Sequence, residues 1–142
     1  MSHLLIPGPA TADSAVMWAA AIDEASGLSA SRQYPGTFWT HNDKGNRPVL
    51  FAITRQGKLI SQFKVAGAQM FDWEDVALDD RGMLYLSDTG NNDTQRTQVA
   101  VHLVREPDPR SEETTIQIKQ TWALTFPASP FDSESLFVHR GF

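Results

Sequence analysis

The chain has 142 residues, of which 41% are hydrophobic and 20% are charged. This balance is typical of a globular protein and excludes collagen-like, low-complexity and disordered chains. The net charge of −5 argues against a nucleic-acid-binding protein, which needs a basic surface. Because the chain has no cysteine, disulfide bonds, thiolate metal sites and cysteine nucleophiles are also excluded.

The sequence predicts neither a membrane span nor a secretion leader. No apolar run approaches the roughly 20 residues that a membrane-spanning helix requires. The N-terminal residues make a poor signal peptide, because no Lys or Arg precedes Arg32 and because Pro7 and Pro9 interrupt the apolar stretch.

Residues 1–22 are predicted to form a separate N-terminal segment ahead of the main fold at residues 23–142. Residues 1–10 show no regular pattern. Residues 11–27 favour a helix, with Asp13 or Ser14 as its cap and Gly27 as its end.

After Gly27, short β-rich runs alternate with clusters of Gly, Asn, Asp and Pro, a pattern typical of strands joined by tight turns. It predicts eight strands and no second helix. The predicted strands are residues 28–31, 37–41, 49–54, 58–65, 76–79, 83–87, 99–104 and 116–126. Period-two spacing places a row of apolar residues on one face of the last strand, namely Ile116, Ile118, Trp122, Leu124 and Phe126.

Two landmarks repeat along these strands. A glutamate opens the first strand of each unit, with intervals of 50 and 60 residues, and an aspartate lies shortly before it. These pairs are Asp23 and Glu24, Asp72 and Glu74, and Asp132 and Glu134. A turn that begins with Asp43 or Asp88 and contains Gly and Asn follows the second strand of the first two units.

Units of four antiparallel strands at roughly 40–50 residues each are the pattern of a β-propeller blade. We therefore predict an all-β fold, with blade 1 at residues 24–66, blade 2 at 74–127 and the start of a third blade at 132–142. A β-sandwich or barrel with accidental internal similarity is the alternative. Closed propellers typically have about 4–8 blades, so a longer chain or several copies of this chain would be needed to close the ring.

Five sequence blocks resemble a bacterial family of six-bladed TolB-like or NHL-like propeller proteins. They are EASGLSASR from Glu24, FWTHND from Phe38, DWEDVA from Asp72, SDTGNN from Ser87 with Arg96, and REP from Arg105. The resemblance spans about residues 22–140. Members are mostly uncharacterised, often secreted and usually longer, so the resemblance implies an extracytoplasmic full-length protein without a defined activity.

The repeated acids predict a metal site. In a blade, the start of the first strand and the end of the antiparallel second strand lie at the same end of the sheet. The acids would gather there at one mouth of a central channel, and carboxylate and amide oxygens are the ligands that Ca²⁺ prefers. The predicted ligands are Glu24, Asp43, Glu74, Asp88, Asn91 and Glu134. The alternative is purely structural, because Asp, Asn and Gly are also ordinary turn formers.

Further ligand-binding side chains are predicted at the same end. Trp73, which is flanked by acids, would stack against a sugar or another ligand, and His41 is a candidate general base. Asn42 lies beside His41, and Arg96 is expected to pair with Asp88 or Asp93.

Three functional hypotheses follow. The leading one is a non-catalytic propeller scaffold or ligand-binding module for a small molecule or a protein. The second is a Ca²⁺-dependent lactonase or esterase, because the gluconolactonase and paraoxonase families are similar at the level of the fold and use a channel-bound metal. The third is a two-blade repeat protein that closes a ring by homo-oligomerisation through its open blade edges.

Overall fold

The structure is a computed structural model that describes residues 22–43, 45 and 47–139. Over these residues it contains strands and no helix. The strands are β1 (Ala25–Ala30), β2 (Thr37–Asn42), β3 (Val49–Thr54), β4 (Leu59–Ala66), β5 (Asp75–Leu78), β6 (Met83–Asp88), β7 (Gln98–Arg105) and β8 (Thr115–Thr125). Within the same residues there is no helix of a length and hydropathy that would cross a membrane.

The all-β prediction is confirmed, and each of the eight predicted strands overlaps an observed one. The prediction of a helix that ends at Gly27 is wrong over its last residues, and its part before residue 22 lies outside the described residues. Gly27 lies inside β1, with a φ of +64°. It sits where the pairing of β1 with β2 shifts register, so the glycine marks a strand irregularity and not a helix end.

The strands form two antiparallel meanders, the first from β1 to β4 and the second from β5 to β8. They join through a short parallel pairing of residues 64–66 in β4 with residues 115–117 in β8. The resulting order is β1-β2-β3-β4-β8-β7-β6-β5, and β1 and β5 lie close to each other at the open edges. The two meanders therefore face each other in a barrel-like arrangement.

The core fills the space between the two meanders. Trp39, Leu50 and Phe63 of the first meander are wholly buried, and so are Leu84 and Leu86 of the second. Stacking two apolar sheet faces removes both from water, which is the main favourable contribution to the stability of such a fold.

The apolar side chains in the two halves of β8 point to opposite faces of the second meander. Its pairing with β7 shifts register next to Val104, which pairs with Ile118, whereas Val101 pairs with Trp122. The first half of β8 packs into the core through Ile116 and Ile118. Trp122 instead stacks on Tyr85, with ring centroids 6.1 Å apart, and is 37% exposed. The prediction that all apolar residues of β8 share one face is wrong, because a bulge reverses the side-chain alternation.

Candidate functional site

Five carboxylates converge at one end of the two meanders. We term them the carboxylate cluster: Asp43, Asp72, Glu74, Asp132 and Glu134. Oxygen atoms of Asp43, Asp72 and Glu74 lie within 4.8 Å of one another, and so do those of Glu74, Asp132 and Glu134. Glu74 belongs to both groups and is therefore the centre of the cluster.

The strand order explains why these acids meet. Asp43 directly follows β2, and Glu74 directly precedes β5. The backbone N–H of Asp43 donates to the carbonyl of Glu24 at 2.9 Å, which holds the end of β2 beside the start of β1. Because β1 and β5 are neighbours, Asp43 comes to lie at the start of β5 as well.

Asp88 fixes the backbone in front of Glu74. Its carboxylate accepts the backbone N–H groups of Phe71 at 3.2 Å and of Asp72 at 3.0 Å, and it forms a 2.9 Å ion pair with Arg96. The backbone N–H of Gly90 donates to the carbonyl of Asp72. Gly90 lies so close to the carboxylates of Asp72 and Glu74 that there is no space for a Cβ atom.

The remaining two acids lie on residues 131–139, which we term the end segment. The backbone N–H of Asn91 donates to Asp132 at 2.6 Å, and the hydroxyl of Thr89 donates to the carbonyl of Ser133 at 2.7 Å. The pair Asp72 and Glu74 thus lies beside the end of β2, and the pair Asp132 and Glu134 lies beside the turn after β6. Each pair contacts the chain just after the second strand of the meander that precedes it. This is the spatial counterpart of the repeat in the sequence.

The proximity of like charges changes the proton affinity of the cluster. Glu74 is 6% exposed, and its pKa is raised to about 8 by burial, by a hydrogen bond with Glu134 and by the charges of Glu134, Asp72 and Asp43. The pKa of Glu134 is also raised, chiefly by a hydrogen bond with Asp132. The raised pKa favours a protonated Glu74 at neutral pH, and a bound cation would take the place of that proton.

Of the predicted metal ligands, the structure brings Asp43, Glu74 and Glu134 together. Glu24 is exposed and belongs to neither group of the cluster. Asp88 is occupied by Arg96 and two backbone N–H groups.

Asn91 shapes the turn after β6. Its side-chain oxygen accepts the backbone N–H of Arg96, and its side-chain nitrogen donates to the carbonyl of Arg96, both at 2.9 Å. Asp88 and Asn91 thus support the cluster through the backbone, whereas Asp72 and Asp132 join it directly. The repeated spacing of Asp72 and Asp132, two residues before each glutamate, was the sequence signal for both.

Most of the predicted ligand-binding side chains are buried. Trp73 is wholly buried and packs edge-on against His41, with ring centroids 5.7 Å apart. His41 is buried too, and burial lowers its pKa, so the neutral imidazole is favoured. Asn42 is also buried. Arg96 is partly buried and lies 5.3 Å from the ring of Phe71, and its predicted pairing with Asp88 is confirmed.

No family model, curated protein or solved structure matches this chain. The resemblance to six-bladed propeller proteins therefore stays a prediction.

Proposed function

We propose that the chain is a pair of β-propeller blades of the TolB-like or NHL-like type, and that it serves as a non-catalytic ligand-binding module. The proposal is supported by the arrangement of the meanders, which face each other with their first strands side by side. The observation that carries it is the meeting of two Asp-x-Glu pairs at the blade starts, where Glu74 contacts both groups of acids.

The ligand proposed for the carboxylate cluster is Ca²⁺. Three separate parts of the chain supply oxygen donors, and Ca²⁺ takes about 6–8 oxygen ligands in flexible geometry. Asp72 and Glu74 are buried, Asp43 and Asp132 are half-buried, and Glu134 is exposed. Adjacent carboxylates, two of them buried, are compensated by protons or a cation, so the donor set fits this ion. Asp43, Asp72, Glu74, Asp132 and Glu134 would hold it.

Binding is favoured over hydrolysis. A lactonase or esterase would need an accessible general base beside the metal, as His41 was predicted to be. His41 is wholly buried, and its Nδ1 lies 2.9 Å from the carbonyl of Asn42. We therefore propose cation and ligand binding and not ester hydrolysis.

Calorimetric titration with Ca²⁺ tests the proposal. Glu74 has to lose its proton before it can bind the ion, so we expect tighter binding at pH 8.5 than at pH 6.5 and the release of a proton into the buffer. Proton release is measured by comparing two buffers of different ionisation enthalpy.

Glu74→Gln is expected to weaken binding strongly, because it removes the carboxylate shared by both groups. Glu113→Gln is the matched control, because Glu113 is exposed and belongs to neither group. Absence of binding by the wild type, or equal affinity in Glu74→Gln, would overturn the proposal.

A further inference from the structure

Another buried acid, Glu106, lies at the opposite end of the meanders from Glu74. Glu106 directly follows β7 and is 5% exposed. Its Oε1 accepts the indole N–H of Trp39 at 2.7 Å and the hydroxyl of Ser31. Its Oε2 has no hydrogen-bond partner, and no Lys or Arg of the described residues forms an ion pair with it.

These hydrogen bonds involve only one of the two carboxylate oxygens of Glu106. The two donors come from the first meander, so Oε1 links the two meanders. A buried carboxylate is costly unless a cation or further donors compensate it. The described residues therefore provide neither a hydrogen-bond donor nor a cation for Oε2 of Glu106.

Glu106 lines a cavity of about 270 Å³ together with Gly82, Gln33 and two ion pairs. Gly82 has no side chain, and two oxygen atoms lie near the position that its Cβ would occupy. That position is 3.8 Å from Oε2 of Glu106 and 3.0 Å from Oε1 of Gln33. Two acceptor oxygens thus face one point on the cavity wall.

The charges around the cavity leave one negative charge in excess. Arg32 pairs with Asp80, and Arg81 pairs with Asp79. Glu106 is the fifth charged residue of the lining and has no such partner. A monovalent cation would complete the balance.

We propose that this cavity binds a small organic molecule through a primary ammonium group, with Oε2 of Glu106 as its charged acceptor and Gln33 as its second acceptor. A primary ammonium carries three donors, enough for both oxygens. The volume is just below the range of about 300–1,000 Å³ for ligand pockets, which favours a short alkyl amine over a larger ligand.

The test is a titration of the ¹⁵N-labelled full chain with n-butylammonium chloride, followed by NMR at constant ionic strength. The indole N–H of Trp39 is bonded to Glu106 and therefore reports directly on the carboxylate. We expect a saturable shift of the Trp39 indole signal and little change at Trp122 on the far face of the second meander. Tetramethylammonium, which has the charge but no N–H donor, should bind much more weakly.

Glu106→Gln keeps an oxygen acceptor for Trp39 and Ser31 but removes the charge. It is expected to lower the affinity by about tenfold to a hundredfold, the usual range for a hydrogen bond to a charged group. Glu112→Gln is the matched control and should bind like the wild type, because Glu112 is exposed and lines neither this cavity nor the adjacent one, which Glu106 and Gln33 also line.

Gln33→Ala, at an exposed residue, provides a second variant if Glu106→Gln fails to fold. It leaves both bonds of Glu106 intact and should weaken binding by about fivefold. The proposal is overturned if the wild type shows no saturable shift, if tetramethylammonium binds equally well, or if the folded variants retain full affinity.

Discussion

Glu74 is the residue on which the carboxylate cluster depends. It contacts acids from both meanders and from the end segment, and it is almost fully buried. Burial is the first cause of its raised pKa, and the adjacent acids add to it. The folded cluster therefore needs either a proton or a cation at this position.

This requirement predicts a pH dependence of stability in the absence of Ca²⁺. The pKa of Glu74 is near 4.5 in the unfolded chain and about 8 in the folded one. Between these values the folded state binds more protons, so the free energy of unfolding falls as the pH rises towards 8. Burial lowers the pKa of His41, which has the opposite effect below pH 6.5, so the decline is clearest between pH 6.5 and 8.

Urea denaturation of the wild type and of Glu74→Gln over this range measures the effect. The amide resembles the protonated acid and cannot titrate, so the curve of the variant should be flatter. We expect the wild type to lose at least about 1 kcal/mol relative to the variant, since a tenfold change in proton affinity corresponds to about 1.4 kcal/mol. Parallel pH profiles would contradict the assignment of the proton to Glu74.

At the level of elements, the strands were predictable and their irregularities were not. Turn residues separate all eight strands, so the pattern alone located them. The bulge in β8 has no such signal, because Ile118 and Trp122 fit a single alternating row until the pairing with β7 is known. Gly27 likewise fits a helix end by composition, whereas its role depends on a neighbouring strand.

The candidate site could be predicted from the sequence only in part, because some of its contacts depend on the tertiary fold. That Asp43 and Glu74 share one end follows from antiparallel pairing, which the sequence indicated. That Asp88 would bind backbone N–H groups and Arg96 depends on how the chain before β5 folds back, which no local pattern contains. The sequence predicted Asp88 and not Asp72 as a metal ligand, and the tertiary fold reverses this assignment.

Gly27 provides a test of the close approach between β1 and β5. A Cβ atom there would lie 2.8 Å from Cα of Asp75 and 2.9 Å from Nε2 of His41, so the strands would have to separate. Gly36 is the matched control, because its φ is also positive, at +83°, while nothing lies within 4 Å of its Cβ position.

Both alanine variants are strained by about 1–2 kcal/mol in a left-handed conformation. Gly27→Ala should lose a further ~1–3 kcal/mol through overpacking. The free energies of unfolding from urea titration provide the comparison. Equal losses in the two variants would mean that β1 and β5 are not in close contact.

At the scale of the whole molecule, the second meander has one face without a sheet against it among the described residues. Its inner face packs on Trp39 and Phe63 of the first meander. Its outer face carries Tyr85, Trp122 and Leu124, and Leu124 is 45% exposed. In the proposed propeller, the next blade packs on this face, as the second meander packs on the first.

In a solution of this chain alone, a second copy is the available source of another four-stranded sheet. We therefore expect association that increases with concentration, measured by size-exclusion chromatography with light scattering. A discrete trimer would correspond to six blades, matching the family that the sequence resembles. Monomers at every concentration would contradict association through this face.

Trp122→Lys places a charge in the middle of the outer face and should shift the chain towards monomers. Because Trp122 is 37% exposed and stacks on Tyr85, we expect the single chain to lose about 1–2 kcal/mol of stability, so unfolding is measured beside association. Gln56→Lys adds the same charge at an exposed position in the turn between β3 and β4, outside both sheet faces, and should associate like the wild type. If both variants associate equally, another surface joins the copies and the outer face of the second meander is not a blade-docking surface.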